Sequence, residues 1–253
     1  STVFLLLLTG QASAATFFGE DVADFGQNNT DRLESFPNAT QQFEAFLSVL
    51  TADVGTEDFE TFAIGTSNPV LEFPGAGYAT LTGAGSVLTP PSGQATFNGT
   101  YATSGSQYFF VETREVFNIS FSGPTAAFGF FAVDVGDFGA QLLLEFTHVS
   151  GAISSIPVDH SIGADGSTSG SVFFFGQIDE SDPFTQVQFS SGGGFEGFAF
   201  DDMTIASVEQ VVIPTPAAGI LFGSGLAGLV GIRVRRLGAH CETPRPPVDT
   251  RRP

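Results

Sequence analysis

At 253 residues the chain has room for one or two domains, and its formal net charge of −19, with arginine as its only strongly basic residue type, argues against nucleic acid or anionic lipid as a partner of its acidic part. The single cysteine, Cys241, lies near the C-terminus, so no disulfide can brace the body of the protein. With 29 phenylalanines, three tyrosines and no tryptophan, stability has to come from packed aromatic strand faces.

The chain begins STVFLLLLTGQASAA, an apolar run followed by small residues at the spacing a signal peptidase reads. Cleavage is expected between Ala14 and Ala15, with residues 1–14 an incomplete signal peptide, since no initiator methionine or basic leader stands ahead of the run. From Thr16 to Ala52 the composition is mixed. Pro37 suits a first helical turn, and Phe43, Phe46, Leu47 and Leu50 then recur at i, i+3, i+4 and i+7, which predicts one helix over about residues 37–50 with its aromatic strip against a core.

From Val54 onward the pattern changes to short apolar or alternating runs separated by Gly, Pro and Asp. Strands are expected at Asp58–Ala63, Val70–Phe73, Ala79–Thr82, Ser86–Leu88, Gln107–Val111, Glu115–Phe121, Ala126–Val133, Gln141–His148, Ala152–Val158, Ser171–Gln177, Phe184–Phe189 and Gly197–Ile205. With one helical pattern among so many strands, residues 15–210 read as an all-β sandwich rather than a parallel α/β fold. Of the 27 acidic residues, 25 lie before Val211, where Arg32 and Arg114 are the only opposing arginines. That surplus suits either a halophilic surface or cation binding.

Val211–Arg236 reads VVIPTPAAGILFGSGLAGLVGIRVRR. Its uncharged run to Ile232, at about 1.5 Å per residue, is long enough to span a hydrocarbon core of about 30 Å, which predicts a transmembrane helix. Arg233, Arg235 and Arg236 would hold its far end on the cytoplasmic side. Residues 237–253 form an expected unstructured extension.

Chemistry-bearing residues are few. Asp134 and Asp137 flank a turn and Asp201 stands in the last strand, so these carboxylates can supply oxygen ligands to Ca²⁺, while turn-capping is the alternative role. Adjacent Asp201 and Asp202 are expected on opposite faces of that strand. Asp179, Glu180 and Asp182 suggest a solvated turn; Glu57, Asp58 and Glu60 surround Phe59 in the same manner, with alternation putting Phe59 inward and its neighbours outward. His148 and His160 are the only histidines before the tail; no phosphate loop, nucleophile elbow, zinc-spaced pair or other cofactor motif occurs. We expect a non-enzymatic protein.

Pro214, Thr215, Pro216 and Ala217, the Gly-rich apolar run and the arginine cluster together resemble the PEP-CTERM sorting tails of bacterial envelope proteins, in a Pro-x-Pro-Ala variant where Thr215 replaces the family's glutamate. Such tails are also labelled as the C-terminal domain of ice-binding proteins, a label that describes only the tail. The resemblance implies secretion, transient anchoring in the inner membrane, and processing by an exosortase. It also implies a final place on the outer surface or in the extracellular matrix of a biofilm-forming, exopolysaccharide-producing cell. A second resemblance, carried by Thr125–Leu144 and by FEGFAFDDMTI at Phe195–Ile205, is to the β-sandwich ectodomains that precede such tails. These are jelly-roll-like, similar to galactose-binding and lectin-like folds. The expected role is structural or adhesive, with carbohydrate binding to exopolysaccharide, Ca²⁺-assisted or not, as the alternative.

Overall fold

A computed structural model describes residues 14–212, apart from residues 27, 97, 114–115, 165 and 193–195. The signal segment ahead of Ala14, the sorting residues Pro214–Ala217, the expected transmembrane helix, Arg233, Arg235, Arg236 and residues 237–253 lie outside the described residues. Among those described, no helix is long and apolar enough to cross a membrane.

Two antiparallel sheets face each other. The first contains β1 (Ala15–Asp21), β2 (Thr56–Glu57), β5 (Gly85–Leu88), β6 (Tyr108–Glu112), β8 (Ala127–Val133), β11 (Val172–Ile178) and β13 (Gly197–Ala206). Its spatial order is β1-β11-β8-β13-β6-β5, with β2 added beside β13. The second has the order β10-β9-β12-β7-β4-β3, built from β3 (Val70–Phe73), β4 (Gly77–Thr82), β7 (Phe117–Thr125), β9 (Gln141–His148), β10 (Ile153–Pro157) and β12 (Phe184–Gly192).

The period-2 alternation of the strands explains the core between them. Leu142, Leu144 and Phe146 of β9 and Phe117 and Ile119 of β7 point inward to meet Phe128, Phe130, Phe198 and Phe200 of the first sheet, all fully buried. Phe130 stacks on Phe200 with ring centroids 5.0 Å apart, and Phe117 meets Phe189 edge-on at 5.0 Å. Each phenylalanine removed from water contributes roughly 1.5–3 kcal/mol, so rings replace the missing disulfide as the principal brace.

β8 (AFGFFAV) and β11 (VFFFGQI) are buried at every position, because their outer faces are covered as well. The cover is α1 (Pro37–Leu47), which lays Phe43 and Phe46 on Phe131 and Phe174. Its first turn takes no side-chain cap from Phe36. Instead the Asp21 carboxylate at the end of β1 accepts from the backbone N–H of Asn38 at 3.3 Å and of Ala39 at 2.9 Å, placing a negative charge at the helix N-terminus.

Three sequence expectations need correction. The helix stops at Leu47 rather than residue 50, since Leu50 leaves it to form a β-bridge with Val211. The expected strand Asp58–Ala63 is a turn: Phe59 adopts φ +61°, with Glu57 accepting its N–H at 2.7 Å and Asp58 accepting that of Glu60 at 3.2 Å. Finally, β1 and the two-residue β2 are strands the sequence did not announce. The other strands fall where the apolar and alternating runs put them, to within a few residues at their ends.

Candidate functional site

One end of the sandwich gathers the end of β8, the starts of β11 and β13 and the end of β6, as their registers require: Val133 pairs with both Val172 and Ala199, and Glu112 with Gly197. Asp134 and Asp137 lie just past β8, and Glu196 just ahead of β13. All three are buried, at 2%, 4% and 2% exposure. Asp134, at φ +71°, turns its Oδ1 to the N–H of Gly170 at 2.8 Å. Gly99 packs closely against it, and a Cβ there would stand 2.5 Å from that same oxygen. Tyr101 joins the layer by donating its hydroxyl to the Gly170 carbonyl at 2.7 Å, with Arg32 over its ring.

Burial raises all three carboxyls. Asp134 reaches about 7, with the Asp137 charge adding to desolvation while Gly170 N–H and Ser169 oppose it. Asp137 reaches about 6, moderated by backbone N–H groups and by the Glu196 carboxyl. Glu196 rises furthest, to about 9, from desolvation and the charges of Asp137 and Asp134, with Gly136 N–H pulling the other way. Burial and the neighbouring aspartate charges thus favour the protonated form of Glu196 most strongly of the three. Glu196 did not stand out in the sequence, where it is one acid of many.

Asp201 is engaged elsewhere. It lies on β13 opposite Phe131, and its Oδ2 accepts from Thr103 N–H at 2.7 Å, Thr103 Oγ1 at 2.9 Å and Ser104 N–H at 3.3 Å. The expectation that Asp202 faces away is overturned. A register shift between Asp201 and Thr204, with Asp202 at φ +48°, swings its carboxylate onto Thr103 and the Ser104 hydroxyl. Both aspartates thus clamp one loop to the outer side of the first sheet. Burial and the Asp202 charge push Asp201 well above the ordinary range.

Asp179 and Glu60 serve turns. Asp179 Oδ1 accepts from the N–H groups of Ser181 and Asp182, both at 3.0 Å, and Glu60 Oε1 receives those of Ser106 and Gln107, both at 2.5 Å. His148 spans Asp182 O and Ser154 Oγ, and His160 Nε2 accepts from Leu142 N–H at 3.0 Å. Burial keeps His160 below its usual range.

The outer face of the second sheet has a different chemistry. Strand pairing aligns Val70, Thr80, Ser120, Gln186, Thr147 and Ile153 in one row across all six strands. The next row holds Thr82, Asn118, Gln188, Glu145 and Ser155. Gln186 Nε2 donates to Asn118 Oδ1 at 2.9 Å, while Gln188 Nε2 and Ser155 Oγ both reach Glu145 at 3.3 Å. Six strands at about 4.8 Å spacing make this ribbon about 24 Å wide. Tyr78, 49% exposed, stands at its edge beside Ser122, whose Oγ accepts the Tyr78 N–H. No arginine or lysine occurs in these strands.

No family model and no curated protein matches the sequence. Among solved structures, the K2 cleaved adhesin domain of Lys-gingipain is 16% identical with a TM-score of 0.38, covering 62% of this chain and 99% of that one. The CBM22-1 xylan-binding domain of Paenibacillus barcinonensis Xyn10C is 15% identical with a TM-score of 0.38, covering 64% and 97%. TmCBM61, solved in complex with β-1,4-galactotriose, is 14% identical with a TM-score of 0.29, covering 60% and 94%. At such scores none of these bears on the ligand of this chain.

Proposed function

We propose that residues 15–210 form a non-catalytic adhesive module that lays an extended polysaccharide across the outer face of the six-stranded sheet, in a protein exported to the cell envelope or extracellular matrix. The observation that carries the reading is the pair of aligned hydroxyl and amide rows. A carboxamide used at one end still carries a group of the opposite hydrogen-bonding type, which is what a sugar hydroxyl, both donor and acceptor, requires. Tyr78 supplies a ring beside the rows for a sugar face to rest on. The flat ribbon fits a polymer better than a single sugar, and the acids without counter-cations favour neutral over anionic chains.

Affinity electrophoresis of the full chain through gels containing neutral β-glucans, galactans or a polyuronate tests this. We expect retardation by at least one neutral polymer, lost when Tyr78→Ala and Gln188→Ala are combined. Unchanged mobility of the wild type in every gel, or equal retardation of the double variant, would overturn it.

Export and sorting are proposed from Ala14–Ala15 and Pro214–Ala217. Signal peptidase is to act at the first, and at the second an exosortase is to release the chain from its inner-membrane anchor. In an exosortase-bearing host, replacing Pro214 and Pro216 by Ala should leave uncleaved protein in the inner membrane. Normal processing of that variant would sink the assignment.

A further inference from the structure

We propose that β10, an edge strand of the six-stranded sheet, pairs antiparallel with the β10 of a second copy of this chain, so that two sheets become one. A sheet edge presents a row of unpaired N–H and C=O groups, and folded proteins blunt it with charge, proline, a bulge or a cover. The sheets here end in β1 and β5 and in β10 and β3, and all but β10 are blunted along their length. β5 is covered, since Gly65 N–H donates to Val87 O at 2.8 Å and Val87 N–H to Thr66 O at 2.9 Å. β1 ends in Glu20 and Asp21, and its Glu20 carbonyl accepts from Asn38 Nδ2 of α1. β3 has four residues, carries Glu72 and stands between Pro69 and Pro74.

β10 reads ISSIP and carries no charge; Ile153, Ser155 and Pro157 are exposed, and Ile153, at 66%, is the most exposed large apolar side chain among the described residues. The register fixes which backbone groups are free. His148 N–H donates to Ala152 O at 2.9 Å and Val158 N–H to Leu142 O at 3.0 Å, so the even-numbered residues of β10 turn to β9. The N–H and C=O of Ile153 and Ser155, and the C=O of Pro157, therefore point off the edge.

A second β10 fits this pattern when a twofold axis passes through Ser155. Ser155 then exchanges N–H···O=C bonds in both directions with Ser155 of the partner subunit, and Ile153 N–H donates to the carbonyl of Pro157 of the partner subunit. Pro157 has only to accept, so its missing N–H does not block the pair. The same register lays the Ile153 side chain beside Pro157 of the partner subunit on the outer face and covers it.

Charge argues for a twin at this edge in particular. Before Val211 the chain has 25 acidic residues against Arg32 and Arg114, so identical copies repel over most of their surface. Neither β10 nor the turn that leads into it, Val149–Ala152, has a charged residue. On the shared face Glu145 and its twin would stand about three strand spacings apart, roughly 14 Å, beyond the screening length of about 8 Å at physiological salt. The row Thr82, Asn118, Gln188, Glu145 and Ser155 meets its twin at the axis and continues across the second domain. A polymer lying along it would engage both copies at once. The pairing does not rest on the polysaccharide reading; only this use of it does.

The test is sedimentation equilibrium of the full chain in detergent, without polysaccharide, so that it is read apart from the gel experiment. An edge of five residues buries less than the roughly 1,200 Å² of a standard interface, so we expect a reversible dimer with a Kd on the order of 10–100 µM. Ile153→Lys, which sets a charge on the seam, should weaken it by about tenfold or more, while Val70→Lys, on the opposite edge of the same sheet, should not. In a Cys241→Ser background, Ser155→Cys should oxidise to a covalent dimer, because directly opposed residues of a hydrogen-bonded pair have Cα atoms about 5.5 Å apart, within disulfide reach. Thr82→Cys, at the far side of the same row, should remain a thiol. A chain still monomeric at about 300 µM, a dimer that Ile153→Lys leaves intact, or equal cross-linking at the two cysteines would overturn the proposal and leave the edge to a different occupant or to none.

Discussion

Gly129 on β8 lies directly opposite Gly176 on β11, and the ring of Phe46 from α1 rests in the hollow the two leave. A Cβ at Gly129 would stand 3.0 Å from Phe46 Cε1, and one at Gly176 2.8 Å from Phe46 Cδ2. The helix seats where the sheet has no side chains.

Filling the hollow should therefore unseat the helix. Gly176→Ala is expected to destabilise the domain by about 1–3 kcal/mol and Phe46→Ala by about 3–5 kcal/mol in urea unfolding. Gly123→Ala, where nothing lies within 4 Å and the backbone is not left-handed, should change stability by less than about 0.5 kcal/mol. Equal effects at Gly176 and Gly123 would refute the packing account.

Stability should fall as pH rises. Asp134, Asp137, Glu196 and Asp201 all have folded-state pKa values raised above the ordinary carboxylate range. The folded state thus binds more protons than the unfolded chain. That contribution is full below about pH 4 and is lost as pH passes the folded values, through about 6 and 7 to about 9. His160, depressed by burial, acts oppositely and costs stability as pH drops below about 6.5. Melting temperatures should peak in mildly acidic buffer and decline by on the order of 10 °C toward pH 9. A flat or rising profile over that range would contradict the buried carboxyls.

Asp201→Asn should cost about 1–3 kcal/mol although it adds no bulk. Both Asp201 oxygens accept backbone N–H groups, Oδ1 from Asp202 and Oδ2 from Thr103 and Ser104, so a carboxamide NH2 must face a donor either way. Chemical denaturation with Ser104→Ala as the milder comparison measures it.

Gln210 anchors the close of the domain: its Nε2 donates to Pro74 O at 3.0 Å, and its Oε1 accepts from Ser207 N–H at 3.1 Å. Gln210→Ala should lower stability by about 1–2 kcal/mol and speed hydrogen exchange at Thr51, whose amide is bonded to the Gln210 carbonyl.

Most strands were legible because their partners leave one face wet. Gln141–His148 alternates cleanly in burial, and its bounds match the expectation. In β1 the adjacent Phe17 and Phe18 face opposite layers, α1 and the inner core, so no alternation announces a strand until β11 and the helix are in place. Asp202 escaped because a local shift, not strand parity, aims it. The buried acid cluster was half legible: Asp134 and Asp137 share a turn that sequence spacing reveals. Glu196 is brought to them only by the pairing of β8 with β13, more than fifty positions along the chain. The polar rows were hidden for the same reason, each member coming from a different strand.

The way the chain leaves the domain also decides how it carries load. After β13 a short 3-10 turn, Val208–Gln210, leads to Val211, bridged to Leu50, and to Val212, whose N–H is bonded to Val49 O at 2.7 Å. A pull on Val212 therefore meets a small clasp at the end of α1 before it reaches β13, an interior strand of the larger sheet. Were the domain held at this point while binding a polymer on the opposite sheet, as proposed, it would be loaded across its thickness. Its tensile strength would then rest on the stacked phenylalanines between the layers.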